Sequence, residues 1–313
     1  MAKQKYEQHL IQDHGKFPVE LEGKTPGTGK DLIPGVKATH VLTVDETRQE
    51  GMFAVDCTWL WSGAAKAPVG VPHKHDFDQI IGIAGGNVND PQDLGGEITV
   101  WLDGRAEKIV RNSLIVIPAG IVHGPYLFTK IERPVFFVSI ANKGTAARTV
   151  VNQVTKPERD RKYAIVDYLK KKDFTVAADG EKAPPPPPPG PRTSDGWRIL
   201  HVEDDIVKGA FYVDFVWIFK GTGAAPAIPH DHEWPEVLAM LGADPDDPYN
   251  NGGEMNITLG DETYKTHKST LVCIPEHVMH CPWGFKDIEK PSLIFSAGPS
   301  SVYTGSHKKE AKK

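Results

Sequence analysis

Short apolar runs rich in β-branched and aromatic residues recur along this chain and stop at Pro, Gly, Asn or Asp. Val55, Cys57 and Trp59 alternate with Asp56 and Thr58, the period-two pattern of a half-buried strand. Residues 114–117 and 271–274 are unbroken apolar stretches that end at Pro118 and Pro275, and residues 135–138 and 293–295 are further short apolar runs that follow Pro134 and Pro291. Such punctuation predicts many short strands and an all-β sandwich or barrel. Spacing nearer 3.6 occurs only over residues 5–13 and 163–172, where short helices are expected.

The pattern is written twice. His230 and His280 lie 157 residues after His73 and His123. Lys5-Tyr6 matches Lys162-Tyr163 at the same offset. Phe53 to Trp59 matches Phe211 to Trp217 one residue further on, and Ile131-Glu132-Arg133-Pro134 matches Ile288-Glu289-Lys290-Pro291. Two halves with the same fold follow, with domains 1–157 and 158–313. The proline run at 184–191 then falls inside the second half, as an extended surface loop rather than an interdomain linker. The basic tail 306–313 reads as a solvated, frayed end.

Each half carries a constellation of metal-ligand type: His73, His75, Gln79 and His123 in the first, His230, His232, Glu236 and His280 in the second. On a strand, two histidines separated by one residue face the same side. Four residues of straight strand would carry position 79 about 13 Å from position 75, so the chain must turn between them for both to reach one ion. Asp76-Phe77-Asp78 and Glu233-Trp234-Pro235 permit that turn. Three imidazoles and one carboxylate leave an octahedral ion with open positions, an arrangement suited to catalysis rather than to a closed structural site. Nitrogen and oxygen donors without thiolate suit Mn, Fe, Co, Ni or Zn, and intrinsic affinity does not decide among them; Mn or Fe is the first expectation, with Ni, Co and Zn the others. The open positions would accept a bidentate oxygen ligand such as an enediol, a catechol or a β-dicarbonyl.

His-x-His-x3-Glu followed by Pro-x-Gly-x2-His resembles the two signature motifs of the cupin superfamily, and two copies resemble a bicupin. The second half matches at all four ligands and has His277 where the motif has glycine. The first half keeps Pro118-Ala119-Gly120 but has Gln79 for the glutamate, one negative charge short. The resemblance covers about residues 40–141 and 197–298 and implies tandem double-stranded β-helix barrels with a few short helices. It also implies a divalent-metal enzyme, although the family spans dioxygenases, decarboxylases, isomerases, hydrolases and non-catalytic storage proteins. Non-oxidative, hydrolytic C–C cleavage or ring opening of a β-diketone is the favoured expectation, because the oxidisable Met279 and Cys281 flank His280. An O2-dependent dioxygenase and a metal-containing storage protein are the alternatives.

His277, Glu254 and Glu97 are the candidate catalytic groups, the first as a general base and the carboxylates as pocket-lining residues at matched strand starts. Tyr126 and Trp283 follow the last histidines and could wall a pocket for a planar substrate. The acidic loops 87–94 and 244–251 could lid the barrels. A formal charge of −5 without a basic stripe argues against nucleic acid as a partner. No apolar window is long enough for a membrane span, and three cysteines without finger spacing suggest a reducing, cytoplasmic setting. A small-molecule substrate is the expected partner, and a homo-oligomer is left open.

Overall fold

A computed structural model describes residues 4–15, 19–21, 33–90, 92–152, 160–167, 194–224, 228–303 and 306–307. The chain divides into two compact units. One comprises residues 13–168 with 205–210. The other comprises residues 1–12, 169–204 and 211–313. The boundary expected at 157/158 and the proline run at 184–191 both lie outside the described residues.

The first unit is a curled antiparallel sheet of eleven strands. Strand Val55–Gly63 lies between Val36–Val44 and Val135–Ala141; the latter pairs onward with Gln79–Gly85, and that with Ser113–Ile117. A second layer pairs Asp93–Leu102 with Arg105–Arg111 and with His123–Ile131. Alternate residues of the two layers point inward, and Ile81, Ile83, Ile98, Val100, Phe128 and Phe137 form one buried cluster. Each such side chain contributes about 1.5–3 kcal/mol by leaving water. Outward positions of the same strands carry Glu97, Thr99 and Lys108.

The second unit repeats this plan. Tyr212–Ala224 pairs with Ser194–Val202 and Ser292–Gly298; the latter pairs with Glu236–Gly242, and that with Thr270–Ile274. Asn250–Leu259 lies between Glu262–Lys268 and His280–Ile288. Its interior gathers Met240, Met255, Ile257, Tyr264, Trp283 and Phe285.

The two helices expected at 5–13 and 163–172 are not helices in the described residues. Glu7–His9 is a single 3-10 turn, and Leu10–Ile11 then forms a strand against Leu271 and Val272. Ala164–Val166 is likewise a strand, against Leu114 to Val116, while 168–172 lies outside the described residues. Helical spacing over one or two turns carries little free energy, since nucleation is costly. An open sheet edge offers backbone hydrogen bonds and an apolar face at once, and it wins. The basic tail also begins in order, with Ser306–His307 pairing Asp231 and His230.

Candidate metal centres

The two histidines of each His-x-His pair sit at a two-residue strand, His73–Lys74 or His230–Asp231, and the residue just beyond it. The chain then turns, and Gln79 and Glu236 open the next strands, Gln79–Gly85 and Glu236–Gly242. The turn inferred from the spacing is therefore present in both halves. The third histidine arrives across the sheet: His73 is the register partner of His123, and His230 of His280. Two groups of possible metal-holding residues result among the described residues. Each is wholly buried, with donor atoms within 4.8 Å of one another: His230, His232, Glu236 and His280 in one, and Glu20, His73, His75 and His123 in the other.

The imidazoles are oriented from behind. Nδ1 of His73 donates to the Val71 carbonyl at 2.7 Å, His123 to Ile121 at 3.1 Å, His230 to Ile228 at 2.7 Å and His280 to Val278 at 2.9 Å. His75 donates to the Ala147 carbonyl at 2.8 Å. A carbonyl only accepts, so each Nδ1 carries the proton, and in the neutral ring Nε2 presents its lone pair to the centre. This is how metal-binding imidazoles are held.

In the second centre the Nε2 of His280 and the Oε2 of Glu236 are 3.0 Å apart, yet neither makes a hydrogen bond although both are buried. Buried polar atoms are rarely left so. Lone pairs converging without a proton between them suit a shared cation, and the donor set fits a divalent first-row ion. Burial works against the Glu236 charge, but the adjacent His232 and His280 hold its pKa down to about 2. Burial would lower the pKa of His280, and Glu236 outweighs it and raises it. His230, lowered to about 4 chiefly by burial, is neutral at physiological pH.

Aromatic rings surround this centre. Trp234 stacks on His232 with centroids 4.0 Å apart, and Tyr303 packs edge-on to His232 at 5.0 Å. The Tyr303 hydroxyl lies 2.7 Å from Nε2 of His230, and its ring lies 4.8 Å from Tyr212. In the first centre Phe77 takes the place of Trp234, stacked on His75 at 4.6 Å. No ring corresponds to Tyr303 there, since the matching position is Ala146. Instead Glu20, on the 3-10 turn Val19–Leu21, puts its carboxylate among the three histidines. Sequence reasoning singled out neither Glu20 nor Tyr303. Glu20 has no counterpart in the repeat, the matched residue being Ala177, and the only pointer to it is the charge missing at Gln79.

The other candidates lie outside both clusters. Glu97 pairs with Lys108 and Glu254 with Lys265 on outward strand faces. His277 is exposed in a turn at φ 60°, where Gly120 of the first half has φ 83°; their backbone N–H groups donate to the His232 and His75 carbonyls. Tyr126 is fully buried and donates to Glu20, and Trp283 belongs to the second core. The loops at 87–94 and 244–251 are pinned through Asp93 to Arg133 and through Asp244 to Lys290. They follow strands 79–85 and 236–242 at the ends away from Gln79 and Glu236, about 20 Å along. No helix among the described residues is long and apolar enough to cross a membrane.

No family model matches the chain, and no curated protein sequence does. Solved structures match over nearly the whole length. Oxalate decarboxylase from Bacillus subtilis, in work on its Mn(II) centres, is 12% identical with a TM-score of 0.52, covering 95% of this chain and 81% of that one. Vicilin from hazelnut (Corylus avellana) is 11% identical at TM-score 0.49, covering 93% and 85%. AerE from Microcystis aeruginosa is 14% identical at TM-score 0.43, covering 80% and 89%. At these identities the likeness is one of fold. With two barrels built to one plan and a histidine cluster in each, this chain has the fold of a bicupin.

Proposed function

We propose that the chain is a divalent-metal-dependent enzyme that works at His230, His232, Glu236 and His280. Its substrate is a small enolisable carbonyl or phenol-derived ring, and its reaction is hydrolytic C–C cleavage or ring opening of a β-diketone, the reaction type of dihydrophloroglucinol cyclohydrolase. The observation that carries the reading is the setting of the second centre. Among the described residues its donors converge with no second carboxylate grouped with them, and Trp234 and Tyr303 flank them with flat apolar faces. Manganese is the first ion to test, given the Mn(II) centres of the Bacillus enzyme that shares the fold.

A divalent ion held there would supply Lewis acidity, polarising a substrate carbonyl for addition of water, so that the adjacent C–C bond breaks to a carboxylic acid and an enolate that takes up a proton. The protein does the rest. The Nδ1 bonds to Ile228 and Val278 fix two of the imidazoles. Trp234 and Tyr303 pack edge to face beside the centre and offer apolar ring surface for a planar substrate to lie against. The Tyr303 hydroxyl donates to Nε2 of His230 at 2.7 Å; with that lone pair on a cation, its proton would be free to turn to an enolate oxygen. Glu236, ionised throughout the working range, supplies one negative charge to the centre.

The test is turnover of cyclic β-diketones by the Mn(II)-loaded full chain under strict anoxia. Ring-opened acid formed without oxygen supports the hydrolase. Absolute dependence on O2 replaces it with a dioxygenase. Inertness with both diketones and catechols, in a chain that holds its ion, favours a binding protein.

A further inference from the structure

The first centre takes its carboxylate from outside the repeat. We propose that Glu20 is a ligand of a first-half divalent cation and that Gln79 is the hydrogen-bond donor that positions it. This rests on the metal reading above, but not on the chemistry assigned to the second half.

The Glu20 carboxylate lies 3.3 Å from Nε2 of His73, 3.3 Å from His75 and 3.5 Å from His123. Donor atoms sharing one first-row ion, with bonds near 2.1 Å, stand about 3.0–3.5 Å apart. The Nδ1 of each ring is already donating to a carbonyl. A neutral imidazole has one proton, so at Nε2 a lone pair faces the oxygens of an anion. Nε2 of His73 and of His75 lie 3.4 and 3.3 Å from Oε1, a range only a protonated ring could use as a donor, and the buried Nε2 of His123 makes no hydrogen bond at all; one cation between the rings and Glu20 satisfies all three as neutral imidazoles. The His230, His232, Glu236 and His280 group has the same composition: three imidazoles and one carboxylate.

Gln79 is turned to a different task. Its Nε2 donates to Glu20 Oε1 at 2.6 Å and to Ser139 Oγ at 2.8 Å. The flipped amide would set two oxygens 2.6 Å apart, so the nitrogen faces Glu20. Tyr126 donates to the other oxygen, Oε2, at 2.7 Å. Glu20 is therefore gripped from both sides and only 1% exposed. A carboxamide at position 79 is what this geometry needs. A second carboxylate there would meet Glu20 as a like charge. The first centre thus takes its carboxylate from outside the repeat, and the turn Val19–Leu21 is latched to it by that ligand.

Equilibrium dialysis of the full chain against Mn(II), counted by elemental analysis, tests this. The wild type is expected to hold about two equivalents, and Glu20→Gln about one, which Glu236→Gln in the same chain removes. Adding Gln79→Glu to Glu20→Gln is expected to return the lost equivalent. A Glu20→Gln chain that still holds about two overturns the proposal. So does a wild type holding a single ion that Glu236→Gln abolishes; Glu20 then closes a cation-free network while the second-half reading stands. Should Glu20→Gln not fold, the wild type suffices. Amide exchange at Val19–Leu21 is expected to slow at least tenfold when Mn(II) is added to the chelated protein, and no change overturns the proposal.

Discussion

The two halves put the same three imidazoles on the same strands and differ in what meets them. In the first, the carboxylate arrives on Glu20, outside the repeated pattern, and Gln79 donates to it. In the second, the carboxylate is Glu236, inside the pattern, and the face is lined by Trp234 and Tyr303. The strand frame is the part duplication preserves, because register and alternation fix it. The covering segments are free to change, and they decide which side chains meet the imidazoles. Two sites with one charge count can therefore do different work.

The largest expected effect comes from making the second half imitate the first without its external glutamate. Glu236→Gln is predicted to weaken second-half Mn(II) binding by more than about a hundredfold and to abolish turnover, leaving the first-half ion in place. Turnover surviving this change would move the catalytic centre to the first half and reverse the comparison.

Acid should separate the halves next. Binding needs neutral rings, and Glu236 raises the pKa of His280, so a proton competes there at a higher pH than for an ordinary histidine. Second-half affinity is predicted to fall about tenfold per pH unit once the pH drops below that raised value. His230, at about 4, adds nothing to this until far lower pH. Mn(II) titrations from neutral pH downward check the slope, and a flat profile to pH 5 would exclude His280 from the ligand set.

Tyr303→Phe removes the hydroxyl with no counterpart in the first half. The expected loss is about tenfold in kcat with Mn(II) content unchanged, the size of one hydrogen bond. A fall in metal content instead would make Tyr303 a ligand rather than a substrate-facing group.

The smallest effect tests the turn before the last histidine. His277 adopts φ 60°, where Gly120 stands in the other half. His277→Gly relieves that backbone at the cost of a more flexible unfolded chain, so it is expected to change stability by less than about 1 kcal/mol and to spare activity. A large loss of kcat in a chain of normal melting temperature would restore His277 as a general base.

The strands and seven of the eight converging donors were legible because they are local: alternation sets a face, and histidines spaced by one share it. Glu236 was legible once the turn between His232 and position 236 was granted. Glu20 was not, since nothing in a 3-10 turn fifty residues upstream marks it except a charge absent at Gln79. Leu10–Ile11 and Ala164–Val166 misled for a related reason. Their spacing suits a helix, and only the open edges at Leu271–Val272 and Leu114–Val116 make them strands. Tyr303 reaches His230 from a segment without repeat or motif signal, just before the tail expected to fray; Ser306–His307 pairs with His230–Asp231 beside the centre.

The most direct measurement is the number of Mn(II) ions held by the full chain after purification without chelators and exhaustive dialysis. About two ions, falling to about one in Glu236→Gln, is the predicted result. A chain that retains no Mn(II), Fe, Co, Ni or Zn, and melts at the same temperature with and without them, would contradict it.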